Sequence, residues 1–262
     1  MDQLIETTYE TNAAFNHMHL FHLVGNAYKD PDYLLMLRRS FLSDGYVALP
    51  DLITDTAFQA LYSETERIYA AAKDRIFTMP GYDTPRVLRT LGGRQIVRLC
   101  PQLLSVYFHH EIHDLLVALT GSSIFGCEHP EEFFVANFLN RPGATHGWHL
   151  DDPPFALVFF FDAPPQFEGG LLEFVPNWHE FCRQHSFDPR QNVNEAVGRA
   201  REEGRIKVRH HNRKEGYLLR ADQCLHQVTE LLSENVRRTV INLAYQDQPS
   251  VPYEQTADLL YA

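Results

Sequence analysis

His149-Leu150-Asp151 sets an imidazole and a carboxylate two positions apart, inside the stretch Thr145-His146-Gly147-Trp148-His149-Leu150-Asp151-Asp152. At the end of a β-strand, residues i and i+2 face the same side, about 6–7 Å apart along the backbone. Such a pair is two-thirds of a facial set of two histidines and one carboxylate. That set holds non-haem ferrous iron and leaves three adjacent positions for exogenous ligands. The third ligand must come from elsewhere, and His226 in Leu225-His226-Gln227-Val228 is the best donor, because it follows the strand-like run Gly216-Tyr217-Leu218-Leu219-Arg220. About one strand later, Arg237 opens a further run to Tyr245. A lone H-x-D pattern arises often by chance and reads equally well as a hydrogen-bonded pair at a strand end. The ordered set is far more restrictive: H-x-D, a Gly-Gly strand, a strand-borne histidine, then an arginine. It selects the metal reading.

With those residues in view, the run from Asn137 to Tyr245 resembles the iron(II)/2-oxoglutarate-dependent oxygenases. The resemblance covers the H-x-D, the strand Glu168-Gly169-Gly170-Leu171-Leu172-Glu173-Phe174-Val175-Pro176, the distal His226 and Arg237. More narrowly, Thr145 to Ala156 resembles a small group that acts on free amino acids, lysine foremost, and contains both hydroxylases and radical halogenases. The halogenases carry glycine where this chain has Asp151, which leaves a coordination site for chloride. Retention of the carboxylate therefore implies hydroxylation. The resemblance implies Fe(II) held by His149, Asp151 and His226, with 2-oxoglutarate and O2 as cosubstrates giving succinate and CO2. It also implies an arginine for the far carboxylate of 2-oxoglutarate. Arg238 points to the opposite face of a regular strand, so only one of the two can serve; the family pattern favours Arg237.

Substrate contacts are read from the same resemblance. Asp152 and Glu132 are acids near the iron that suit a substrate ammonium, Asp152 on condition that Pro153-Pro154 bends the chain. Arg86, in Thr84-Pro85-Arg86, would grip a substrate carboxylate; His146, Asn242 and Tyr261 match other contacts. Asn242 does not share an ideal-strand face with Arg237, so that match requires a bulge or a twist. The ordinary alternatives are surface acids for Asp152 and Glu132 and a solvated charge face for the cluster Arg86, Arg89, Arg94 and Arg98.

The elements that must position these residues follow from periodicity. Asp32 to Ser43 has helical spacing and ends at Asp44-Gly45. Tyr46 to Leu49 reads as a strand. Thr54 caps a second helix to about Lys73, Met79 to Pro85 is loop by its breakers, and Pro101 to Leu119 is a third helix closed by Gly121. His109, His110 and His113 on that helix are surface or boundary residues. His17, His19 and His22 lie among apolar residues without an acidic partner and read as a helical face packed on the body. From Ser122 short aromatic and branched runs dominate: Ser123–Cys127, Glu132–Leu139, Ala156–Asp162, Gly170–Val175, Ile206–His210, Tyr217–Leu219 and Arg237–Tyr245. The expected fold is mainly β with N-terminal helices, a double-stranded β-helix (jelly roll, cupin-like) within one domain over 1–262. Residues 1–121 are its mostly helical part, 122–262 its β core, and about 177–205 a helical insertion near the mouth that could serve as a lid.

Composition bounds the rest. Hydrophobic residues make up 44% of the 262, enough for a sizeable core, and the net charge of −11 speaks against nucleic acid or an anionic membrane as partner. The four cysteines have no C-x-x-C spacing and read as reduced thiols. With no signal peptide or membrane span evident, the chain reads as cytoplasmic. Its partner would be a small-molecule amino acid, and a homodimer is compatible with the sequence. The alternatives are the same oxygenase class acting on another amino acid or a small natural-product intermediate, and a cupin-like metal protein that is not an oxygenase.

Overall fold

The structure is a computed structural model and describes residues 22–261. The histidines expected on an N-terminal helical face, His17 and His19, lie outside the described residues. His22 is described, and its Nδ1 is 2.7 Å from Glu111 Oε1.

Helix α1, Pro31–Asp44, begins where Asp30 accepts from the N–H groups of Asp32 and Tyr33, and ends where Gly45 adopts φ 67°. Strand β1, Tyr46–Leu49, follows directly. Helix α2, Asp55–Ala71, is capped by Thr54, whose side chain accepts from the Ala57 N–H, and buries Phe58, Leu61 and Ile68. The stretch expected as loop is instead the turn of a hairpin between β2, Lys73–Met79, and β3, Thr84–Leu91. Pro80 and Gly81 mark the turn correctly, but the consecutive charges Lys73-Asp74-Arg75 at the start of β2 hid the strand. Short helices α3, Gly93–Leu99, and α4, Leu104–Tyr107, precede α5, His110–Thr120. The expected single helix over 101–119 is therefore broken at Phe108-His109. His109 is buried, and its Nδ1 accepts from the Glu111 N–H at the start of α5. An end-capping imidazole, not a boundary residue, occupies that position.

The remaining strands are β4 (Phe125–Gly126), β5 (Phe134–Leu139), β6 (Thr145–His149), β7 (Phe155–Asp162), β8 (Leu172–Val175), β9 (Lys207–Arg209), β10 (Gly216–Arg220), β11 (Leu225–Val228) and β12 (Arg238–Gln246). All pairings are antiparallel. The order β1-β10-β7-β12-β5-β3-β6-β11-β8-β9, with β2 on β3 and β4 on β12, curls into the expected jelly-roll core. Helices α6 (Trp178–His185) and α7 (Val193–Glu202) form the insertion, and α8 (Thr256–Tyr261) ends the described chain. Among the described residues no helix is long and apolar enough to cross a membrane, and all four cysteines are free.

Both faces of the central strands are covered, which is why β7 reads as an unbroken apolar run. Phe155, Leu157, Phe159 and Phe161 enter the core shared with the helices, whereas Ala156, Val158 and Phe160 face the opposite side. The same alternation builds the functional side. Trp148, Leu150 and Leu225 pack into a second core with Trp178, Phe181, Val193 and Val197 of the insertion. Their strand neighbours His149 and His226 consequently point the other way. Burying each such aromatic stabilises the fold by about 1.5–3 kcal/mol, so the insertion holds the outer side of β6 and β11 in place.

Gly169, at φ 81°, forms an isolated bridge to Leu231, and a Cβ added there would overlap the Glu230 carbonyl. Gly169→Ala is therefore expected to destabilise the protein by about 3 kcal/mol or more, because left-handed strain and a backbone clash act together. Chemical denaturation of the two proteins measures it.

Candidate metal centre

His149 ends β6 and His226 lies in β11, directly opposite it in register. Asp151 follows β6, fixed by its N–H donating to the Ala221 carbonyl at 3.1 Å. Nε2 of His149 and Nε2 of His226 lie 3.5 and 3.8 Å from the same oxygen, Asp151 Oδ1. One ligand atom from each of the three falls within 4.8 Å of the others. A metal bonded at about 2.0–2.2 Å sets neighbouring ligand atoms about 3 Å apart, so only a small contraction separates this trio from a coordinating set.

The backbone chooses the imidazole tautomers. His149 Nδ1 lies 2.7 Å from the Gly147 carbonyl and His226 Nδ1 lies 2.9 Å from the Cys224 carbonyl. A carbonyl only accepts, so each Nδ1 carries the proton and each Nε2 presents a lone pair to the centre of the trio. Burial, reinforced by the neighbouring His146, pushes the His149 imidazole well below its usual pKa, which keeps it a neutral ligand. Burial also raises the Asp151 carboxyl, and His226 opposes that rise. A cation between the three would remove the penalty on the carboxylate.

The trio opens on a narrow cavity of about 40 Å3 whose lining includes Asn137, His146, Tyr217, Arg238, Asn242 and Tyr261. His146 and His149 both reach it although they differ in strand parity. The pairing explains this: His226 faces His149 and Val228 faces His146, so β6 has one extra residue and bulges. Gly147 lies within the bulge, where β3 approaches so closely that a Cβ would lie 2.8 Å from the Pro85 carbonyl. The His146 ring stacks on His149 with centroids 4.1 Å apart.

The expectation for Arg237 is corrected. Its side chain reaches Asp162 at 3.0 Å and Glu66 at 2.6 Å, and its guanidinium covers the Tyr69 ring at 5.0 Å. It does not line the cavity. Arg238 does: it is 2% exposed, lies 4.8 Å over the Phe160 ring and lines the cavity beside Tyr217. Arg238, Val240 and Asn242 share one face of β12, so Asn242 reaches the cavity without any local irregularity at its own position.

Asp152 is also corrected as a substrate acid. Its Oδ1 is 3.1 Å from Arg190 Nη1, and its Oδ2 accepts the Glu254 N–H at 2.7 Å. Both carboxylate oxygens are thus engaged within the protein. Arg86 lies in β3 and not in a loop; it is 1% exposed and next to His146 in register. Its Nη1 donates to Thr84 and Pro85, while its Nε has no partner. Glu132 sits in the turn before β5, and burial, with Asp151 next in weight, raises its carboxyl well above the usual range. Among the described residues, several buried polar atoms have no hydrogen-bond partner, among them Glu132 Oε2, His146 Nε2, Arg238 Nε and Asn242 Oδ1. Buried polar groups are normally satisfied, and those of His146, Arg238 and Asn242 line the cavity, where a polar ligand could meet them. Tyr217 and Asn137 line the cavity and were not singled out by sequence reasoning.

The family model described as HalD, Halogenase D, matches residues 29–262. The chain belongs to the Halogenase D family. No curated protein matches it significantly. Among solved structures it is similar to the non-haem α-ketoglutarate-dependent epimerase SnoN from nogalamycin biosynthesis, at TM-score 0.64 and 19% identity over 87% of each chain. HygX from Streptomyces hygroscopicus, solved with nickel and 2-oxoglutarate, has TM-score 0.59 and 13% identity, with 86% of this chain and 92% of that one covered. A prolyl hydroxylase from Trichoplax adhaerens, in complex with a hypoxia inducible factor peptide, has TM-score 0.57 and 13% identity over 84% and 91%. At these identities the likeness is one of fold.

Proposed function

We propose that the protein is an Fe(II)/2-oxoglutarate-dependent dioxygenase that hydroxylates an unactivated C–H of a free amino acid, lysine foremost. The observation that carries this reading is the convergence of His149, Asp151 and His226 on one cavity that also contains the buried guanidinium of Arg238. Iron suits two neutral imidazoles and a carboxylate, and the orphaned polar atoms suit 2-oxoglutarate and a zwitterion. Bound there, iron would supply the oxidation: 2-oxoglutarate and O2 yield succinate and CO2, coupled to insertion of one oxygen into the C–H.

The chain's own residues do the positioning. The Gly147 and Cys224 carbonyls fix the metal-facing nitrogens. Arg238, buried and covered by the Phe160 ring, would hold the far carboxylate of 2-oxoglutarate. Arg86 would take the substrate carboxylate. Glu132 would take an ammonium group, and that cation would offset the burial that otherwise favours its protonated form. His146 and Asn242 offer hydrogen bonds, and Tyr261 an aromatic wall. Asp151 in the coordination set favours hydroxylation over halogenation, despite the family's description.

Iron-dependent succinate release from 2-oxoglutarate, screened across the free amino acids, tests the reading. Stimulation by lysine is expected. Strong stimulation by a neutral compound alone would remove lysine and leave the second reading, a small natural-product intermediate. That reading is favoured by the fold shared with SnoN from nogalamycin biosynthesis. A cupin-like protein without oxygenase activity has no need of the Arg238 cation. Glu132→Gln is expected to raise KM for lysine about tenfold or more with a smaller change in kcat, as loss of one buried charge-assisted contact predicts. Steady-state kinetics would show it.

A further inference from the structure

We propose that Arg190 is a positioning residue: its guanidinium clasps the acid beside the metal loop to the C-terminal segment, and so holds one wall of the substrate cavity in place. The proposal rests on the oxygenase reading only for what fills the cavity. Arg190 Nη1 lies 3.1 Å from Asp152 Oδ1 and 3.1 Å from Glu254 Oε2. The two acids meet a second time through the Glu254 N–H, which donates to Asp152 Oδ2 at 2.7 Å. Three segments distant in sequence therefore converge on one carboxylate: the metal loop, the connection between α6 and α7, and the stretch leading into α8.

Each segment is prepared for the contact. The Arg190 N–H donates to Asp188 Oδ1 at 2.8 Å, and the Pro189 carbonyl accepts from Trp178 Nε1 at 2.8 Å. The Asn192 N–H donates to the Gly81 carbonyl at 2.9 Å, and Asn194 Nδ2 to the Asp83 carbonyl at 3.1 Å, which ties the connection to the β2–β3 turn. Further along, Arg75 Nε donates to the Leu260 carbonyl at 2.6 Å, next to Tyr261 in the cavity wall. Tyr253 is anchored separately, through Cys127 and Gln246. Glu254 thus lies between two fixed points.

Electrostatics makes Arg190 the decisive partner. The Asp152 side chain is 2% exposed, whereas that of Glu254 is 50% exposed. Without the guanidinium, a buried carboxylate would lose its counter-ion and face a second carboxylate. The segment carrying Tyr261 would then be pushed off the cavity. Because Arg190 neutralises Asp152, Glu132 is left as the acid for a substrate cation.

Hydrogen–deuterium exchange on the full-chain protein without added iron tests the clasp apart from catalysis. In Arg190→Ala and in Glu254→Ala, amides over 254–261 are expected to exchange about tenfold or more faster, as for a wall released from its tether. In the iron- and 2-oxoglutarate-loaded protein, KM for the amino acid should rise about tenfold, with KM for 2-oxoglutarate and iron binding within about twofold, and the double variant should be no worse than either single one. Glu254→Ala removes a half-exposed carboxylate and so carries the test if Arg190→Ala does not fold. Unchanged exchange in the variants, or fully additive effects, would overturn the clasp. If no amino acid stimulates turnover while exchange still accelerates, the clasp stands and the substrate reading fails.

Discussion

Asp151→Gly is expected to lower hydroxylation by about 100-fold or more, because it removes a ligand outright where loss of a mere supporting contact already costs 10–100-fold. Asp151 Oδ1 lies near both His149 Nε2 and His226 Nε2, at 3.5 and 3.8 Å. Its removal leaves two imidazoles as the protein's ligands, which weakens iron binding, and frees a coordination position in a buried site with Arg86 nearby. An anion such as chloride becomes the natural replacement, and the resemblance to radical halogenases implies that a chlorinated product could then form. The check is iron affinity, succinate release and product mass with and without chloride. A glycine variant that retains full hydroxylase activity would show that Asp151 is not a ligand, and the metal centre would have to be rebuilt from other residues.

The second large effect separates two adjacent arginines. Arg238→Gln is expected to raise KM for 2-oxoglutarate by about 100-fold or more, the scale of losing a buried charge-assisted contact worth about 3 kcal/mol or more. Arg237→Gln should leave that constant within about twofold. Arg237 is engaged by Glu66, Asp162 and the Tyr69 ring on the outside of the barrel, so its loss should cost about 1 kcal/mol of stability at most. Titration with 2-oxoglutarate and denaturation of both variants give the contrast directly. A reversed pattern would return the cosubstrate role to Arg237.

The choice between these two shows where sequence reasoning stopped. On β12, Asn242 shares strand parity with Arg238 and not with Arg237. Parity with Asn242 therefore points to Arg238, against the family pattern that favours Arg237. His146 is the converse: parity with His149 fails, and only the β6 bulge turns both rings to one cavity. Asp152 next to Asp151 looked available for a substrate, but Arg190 and Glu254 are far away in the chain, and nothing local announces that they meet it. The hairpin of β2 and β3 was hidden for a related reason. Its outer strand is largely exposed and opens with three consecutive charged residues, so the apolar alternation that marks a half-buried strand is weak.

Local patterns were sufficient for much of the rest. Asp30, Thr54, Gly45 and Gly121 set helix ends through capping and left-handed backbone, which depend only on neighbouring residues. Branched and aromatic runs marked most strands, and the spacing of His149, Asp151, His226 and a following arginine pointed to the metal chemistry. Tertiary structure decided which arginine enters the cavity, which acids remain for a ligand and which polar atoms lack partners. Those outcomes depend on strand register, on a bulge and on ion pairs between distant segments. Such interactions are set by packing of the whole chain and leave no periodic trace in any short stretch of it.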